Sequence, residues 1–172
     1  MDDSMVFLVD DDLGSLKAMA RFLRATGLNV TEFESASDFL LHHDIRIPGC
    51  AVLDVALGDG NGVDVYCTLT RAGHRRPTIF ITGRRDVPTG VRAMEAGAVA
   101  LLIKPVQHEE LIAAIYKAIG LDLQEREEEA RGTSAVVKLT GAKLAREHAI
   151  SGSEPLQFRS AVWGKGPINS AN

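Results

Sequence analysis

Along the first 120 residues, five short apolar runs alternate with stretches whose apolar positions recur at helical spacing. Met5 to Val9 is five apolar residues between acids, too short for a helix and suited to a buried parallel strand. Beyond it, Leu16, Met19, Ala20 and Leu23 fall at i, i+3, i+4 and i+7, and Gly27 is placed to end that helix. Asn29 to Glu34 alternates Val30 and Phe33 with polar residues and reads as a more exposed strand, after which Ser35 can cap a helix carrying Ala36, Phe39 and Leu40. Pro48-Gly49 precedes a central run, Cys50 to Asp54, whose apolar residues end abruptly in a carboxylate followed by a glycine-rich loop, Gly58 to Gly62.

The pattern continues with a helix over Val63 to Leu69, with Val63, Tyr66 and Cys67 available to pack inward. A β-branched strand, Thr78 to Thr82, leads to a helix that Asp86 can cap and on which Val87, Val91 and Met94 share a face before Gly97. The fifth run, Ala98 to Ile103, ends at Lys104-Pro105, and a last helix carries Leu111, Ile112, Ile115 and Ile119 until Gly120 closes it.

Strands alternating with helices imply parallel pairing through right-handed crossovers. The expected fold class is therefore α/β, an open doubly wound five-stranded parallel sheet with five helices. It occupies residues 1–120, and residues 121–172 form a linker or tail. In that tail Gln124 to Arg131 can extend the last helix and Ala135 to Ala149 can form another, but little packed structure is expected after residue 135.

Composition narrows the class. Hydrophobic residues make up 45% and aromatics 5%, which suits an aliphatic sheet core covered by helices. A formal net charge of −4 argues against a protein whose main task is gripping nucleic acid. The tail balances seven Lys and Arg against seven Asp and Glu, so it adds no basic surface and does not support DNA binding. Cys50 and Cys67 give no spaced disulfide framework and read as free thiols. The acidic N-terminus lacks the pattern of a signal peptide and no stretch approaches 18 uninterrupted apolar residues, so the expectation is a cytoplasmic protein without a membrane partner.

Ligands of open parallel sheets sit at the carboxyl ends of the strands. The polar residues there are Asp10, Asp11 and Asp12, then Asp54, Thr82 and Lys104. Each alone has a bland explanation: acids after a strand complement a helix dipole, a threonine caps a turn, a lysine snorkels at an edge. Together at successive strand ends they match what phosphoryl transfer to a carboxylate requires: a placed acceptor, a divalent cation and donors for the phosphoryl oxygens. Magnesium typically uses one or two carboxylates and several waters. Asp10, Asp11 and Asp54, with a backbone carbonyl such as that of Ala56, form a sufficient set.

Leu8-Val-Asp-Asp-Asp12, Val52-Leu-Asp54 with Gly62 eight residues later, Ile81-Thr82-Gly83 and Ile103-Lys104-Pro105 resemble the motifs of the receiver domain of bacterial two-component response regulators. Gly83 to Pro88 and Ala93 to Ala98 are similar to the subgroup of nitrogen-fixation and quorum-type regulators. The resemblance implies a flavodoxin-like receiver fold over residues 5 to 119. It further implies that a sensor histidine kinase or phosphotransfer protein phosphorylates Asp54, that Asp10 and Asp11 bind Mg2+, and that Thr82 and Lys104 engage the acyl phosphate. The response would emerge on the fourth helix, fifth strand and fifth helix, where homodimerisation is common in the family. Such a domain is a phosphoacceptor rather than an enzyme, with at most self-phosphorylation and self-dephosphorylation.

Three features depart from that pattern. Gly58 replaces a usual proline and, with Gly60 and Gly62, should loosen the loop, each interior glycine costing roughly 0.5 to 1 kcal/mol against alanine. Leu101 stands where an aromatic switch residue is common, and the tail shows no recognisable helix-turn-helix. The alternatives are a DNA-binding regulator with a degenerate output region and a haloacid-dehalogenase-type phosphohydrolase, in which Asp10 would be the nucleophile and Asp12 the acid/base.

Overall fold

The computed structural model describes residues 3–150, with side chains described to residue 146. The expectations for residues 151–172 lie outside the described residues. The strands are β1 (Met5–Val9), β2 (Asn29–Phe33), β3 (Gly49–Asp54), β4 (Ala56–Leu57), β5 (Gly60–Asn61), β6 (Thr78–Thr82) and β7 (Ala100–Ile103). The helices are α1 (Leu13–Ala25), α2 (Ala36–His42), α3 (Gly62–Arg71), α4 (Val87–Glu95) and α5 (His108–Ile150), with a 3-10 turn at Arg84–Asp86. Five strands form one parallel sheet in the order β2-β1-β3-β6-β7, while β4 and β5 pair antiparallel as a separate small ribbon.

Strand alternation builds two cores. Val6, Leu8, Cys50, Val52, Ile79 and Ile81 face α1 and α5, meeting Leu16, Ala20, Leu23, Leu111, Ile115 and Ile119. Phe7, Val9, Ala51, Leu53 and Phe80 face the other way, against Phe39 of α2, Val63, Val65 and Leu69 of α3 and Ala93 of α4. Every residue of β3 is buried, as befits a central strand covered on both sides. Burying each large aliphatic side chain contributes roughly 1.5–3 kcal/mol.

The local punctuation follows the sequence in most places. Asp12 and Ser35 cap α1 and α2 through Ser15 N–H and Asp38 N–H, and Gly27 takes the left-handed conformation after α1 with φ of 88°. Asp86 occupies the residue before α4 but makes no side-chain cap hydrogen bond there.

The buried face of α4 is not the one that Val87, Val91 and Met94 mark. Gly90 and Ala93 are buried, whereas Val91 and Met94 are exposed. The reason is Leu101 on β7: a Cβ on Gly90 would lie 2.6 Å from its Cδ1, so only the small face of α4 can sit down on that side chain. A similar shift occurs in α3, where Val65 and Leu69 are buried alongside Val63 while Tyr66 and Cys67 are half-buried.

Gly120 does not close the last helix, which runs through it to Ile150. The compact unit that contains the sheet extends to Ala130, ten residues past the boundary at 120. What carries the helix onward is a buried ionic network. Asp122 accepts hydrogen bonds from Gly49 N–H at 2.9 Å and from Arg126 Nε at 2.7 Å, and its Oδ1 lies 3.9 Å from Arg76. Arg76, also buried, donates to the carbonyls of Gly49 and Asp44 at 3.1 Å each and stacks over Phe7. These contacts offset the roughly 1 kcal/mol that a helical glycine costs against alanine. Residues 131–146 have exposed side chains, in keeping with little packed structure after residue 135, and Ala135 to Ala149 belong to α5 rather than to a separate helix.

Candidate functional site

Register decides what the strand ends bring together. Val9 pairs with Leu53, Asp54 with Ile81, and Thr82 with Ile103. The next residues of β1 and β7, Asp10 and Lys104, therefore arrive on either side of Asp54. Asp10 and Asp54 are each only 6% exposed, and Thr82 is fully buried.

Lys104 Nζ donates to Asp54 Oδ2 and lies 3.9 Å from Asp10 Oδ2. Asp54 Oδ1 accepts the N–H of Ala56 at 2.9 Å, and Asp10 Oδ1 accepts the N–H of Asp12 at 2.9 Å. Each carboxylate thus has one oxygen tied to the backbone and the other turned to the lysine. Burial pushes the Asp10 carboxyl above its ordinary value, helped by Asp54 and Asp11 and opposed by the Asp12 N–H and Lys104. Burial would lower the Lys104 ammonium, but the hydrogen bond and charge of Asp54 with the charge of Asp10 outweigh it and hold it above the usual lysine value. The Thr82 hydroxyl donates to the carbonyl of Gly83 at 3.0 Å.

Asp11 is exposed beside the glycine-rich loop, close enough that a Cβ on Gly58 would lie 2.9 Å from its Oδ2. Asp12, by contrast, spends its side chain on the N-terminus of α1, accepting Ser15 N–H at 3.0 Å. That occupation removes the acid/base assigned to it in the phosphohydrolase alternative.

Two carboxylates, Asp10 and Asp54, thus face one ammonium, with the exposed Asp11 beside them at the glycine-rich loop. Among the described residues, no three His, Cys, Asp or Glu side chains already converge as a metal cage. Magnesium does not require one, since one or two carboxylates with waters suffice. An acidic cluster balanced by a single cation, with Asp10 shifted toward protonation, fits a divalent ion.

The loop is tied down rather than loosened. Ala56 and Leu57 pair with Asn61 and Gly60, Leu57 is buried, and Gly62 N–H donates to the carbonyl of Val55 at 2.9 Å. Gly62 is needed for close approach, because a Cβ there would stand 2.2 Å from the Asp54 carbonyl oxygen. At the loop tip Asp59 accepts hydrogen bonds from Ala36 N–H, Ser37 N–H and the Ser37 hydroxyl, which hold its carboxyl well down, at about 2. Nothing in the local pattern marked Asp59, since its partners lie more than twenty residues away.

A five-stranded parallel α/β fold with an acidic rim facing a lysine defines a class, and the comparisons with known proteins specify it. Residues 6–116 match the response regulator receiver domain family. The response regulator protein TodT of Pseudomonas putida is 41% identical over 123 residues, which are 72% of this chain and 54% of TodT. Among solved structures, the response regulator StyR superposes with a TM-score of 0.74 at 32% identity, covering 88% of this chain and 79% of StyR. The FixJ-N crystal structure superposes with a TM-score of 0.65 at 36% identity, covering 70% of this chain and 96% of FixJ-N. The chain belongs to the response regulator receiver family and contains the receiver domain of a two-component system. It spans about half the length of the curated relatives it matches first. Membership in this family displaces the phosphohydrolase alternative. Among the described residues no helix is long and apolar enough to cross a membrane.

Proposed function

We propose that Asp54 accepts a phosphoryl group from a sensor histidine kinase or phosphotransfer protein, in the cytoplasm, and that the chain acts as a phosphoacceptor rather than as an enzyme with its own substrate. The observation that carries this reading is the placement of Lys104 on Asp54 Oδ2, with Asp10 3.9 Å from the same ammonium, at the carboxyl ends of β7, β3 and β1. Asp10, Asp11, Asp54 and the Ala56 carbonyl are the groups that would hold Mg2+. When bound, the ion supplies positive charge against the oxygens of the entering phosphoryl group.

The chain's own groups do the rest. Asp54 offers an oxygen held in place by its other oxygen's bond to Ala56 N–H. Lys104 is a mobile point charge that can move from the carboxylate to a phosphate oxygen. Thr82, one strand over, supplies a hydroxyl that donates to the neighbouring Gly83 carbonyl and would exchange that bond for a phosphoryl oxygen. The outward face of α4, β7 and α5 is suited to pass the signal or to homodimerise, since Val91, Met94, Ile103 and Tyr116 are each exposed by 39% or more. DNA binding is not part of the reading for these residues.

The test is mass mapping after incubation with acetyl phosphate, with and without magnesium. Phosphate on Asp54 only when magnesium is present supports the reading. Phosphate on Asp10, or undiminished labelling of the Asp54→Ala protein, would overturn it.

A further inference from the structure

Besides the pairing of β4 with β5 and the buried Leu57, three contacts hold the loop after β3. Ala56 N–H is bonded to Asp54 Oδ1 at 2.9 Å, Gly58 lies against Asp11, and the tip residue Asp59 reaches across to the first turn of α2. There its Oδ1 accepts Ala36 N–H at 3.0 Å, and its Oδ2 accepts Ser37 N–H at 3.0 Å and the Ser37 hydroxyl at 2.7 Å. Ser35, the N-cap residue, already serves Asp38 N–H at 3.0 Å. The first three helical N–H groups of α2 are therefore all satisfied, two of them by a carboxylate from the loop. Both oxygens of Asp59 are used, and they engage two backbone donors fixed by the helix.

The first two contacts belong to the acidic rim itself. The third joins the loop tip to a separate packed element, because α2 is held by the buried Ala36 and Phe39. With glycine at positions 58, 60 and 62, the tip has little side-chain packing of its own beyond Leu57.

We propose that Asp59 is a positioning residue for the phosphoacceptor site: by fastening the loop to α2 it holds Ala56 and Gly58 over Asp54 and Asp11, and so sets the affinity for the divalent cation. The inference rests on the function proposed above. The competing role is a cap that only stabilises α2.

The experiment compares Asp59→Ala, Asp59→Asn and Ser35→Ala with the wild-type chain by calorimetric titration of Mg2+ and by amide hydrogen exchange in metal-free protein. Ser35→Ala removes the other cap of α2 and leaves the loop contact intact. Asp59→Ala is expected to free the amides of Ala36, Ser37 and residues 56–61 and to weaken Mg2+ binding about tenfold or more, as loss of groups that orient metal ligands commonly does. Asp59→Asn, with one acceptor oxygen instead of two, should fall between. Ser35→Ala should free the Asp38 amide without changing Mg2+ affinity.

Unchanged Mg2+ affinity in Asp59→Ala, or equal weakening by Ser35→Ala, would overturn the proposal in favour of a cap. If the wild-type chain binds no Mg2+, the reading of the site as a magnesium-dependent phosphoacceptor fails by itself. Exchange at residues 56–61 then decides the tether: protection lost in Asp59→Ala but kept in Ser35→Ala supports it, and protection kept in both overturns it.

Discussion

Gly62 and Asp54 are in closer contact than any other residue type at position 62 would allow, since a Cβ on Gly62 would stand 2.2 Å from the Asp54 carbonyl oxygen. The candidate phosphoacceptor and the first residue of α3 are thus packed backbone to backbone, and the loop between them must close within seven residues.

Gly62→Ala should destabilise the fold by about 1–3 kcal/mol, the usual cost of forcing atoms into packed space. Gly60→Ala is the control, because a Cβ there meets nothing within 4 Å and should shift stability by no more than about 0.5 kcal/mol. Urea denaturation of the two variants checks the contrast. Similar stabilities would mean that the Asp54 backbone yields.

The elevated Asp10 carboxyl makes a signed prediction for metal-free protein. Its folded-state value is raised, so the ionised form is penalised in the fold, and the penalty is present above that value and vanishes as pH falls below the unfolded value of 3.8. Asp10→Asn keeps an acceptor oxygen for Asp12 N–H and removes the charge. The variant should be more stable than wild type at pH 7 and converge with it in acid, as read by thermal unfolding across that range.

Magnesium should reverse that order. A ligand that binds only the native state stabilises by about 2.7 kcal/mol at a hundred times its dissociation constant. The wild-type melting temperature should therefore rise with Mg2+, while Asp11→Ala should show little of the rise. Equal thermal shifts in the two proteins would count against Asp11 as a ligand.

Asp122→Ala should be among the most damaging single changes in the chain. It would strand the buried Arg76 guanidinium and the Gly49 N–H, and removal of one partner from a buried ion pair typically costs roughly 3–5 kcal/mol. Truncation after Gly120 removes Asp122 and Arg126 together and should unfold the receiver at much lower urea than truncation after Ala130. Circular dichroism melts of the two truncations compare the boundaries directly.

The chain order itself determined the sheet, its parallel sense and four strand-end residues of the candidate site. Asp10, Asp54, Thr82 and Lys104 were legible because each interrupts an apolar run at the same end of a strand, and parallel strands bring like ends together. The cap Ser35 was legible from its place just before the apolar positions of α2, whereas the sequence pattern shows Asp12 only as one of the acids at the end of β1 and not as the cap of α1.

What local pattern could not supply was the outcome of contacts between distant segments. The two possible faces of α4 differ by one residue in periodicity, and Leu101 on the neighbouring strand selects the one with Gly90. Gly120 reads as a stop until Asp122, 73 residues from Gly49, anchors the helix beyond it. The glycines of the β3 loop suggest slackness until Asp59 is seen fastened to α2. Periodicity records which side of an element is apolar; tertiary packing alone decides which polar side chains find buried or fixed partners, because those partners come from elsewhere in the chain.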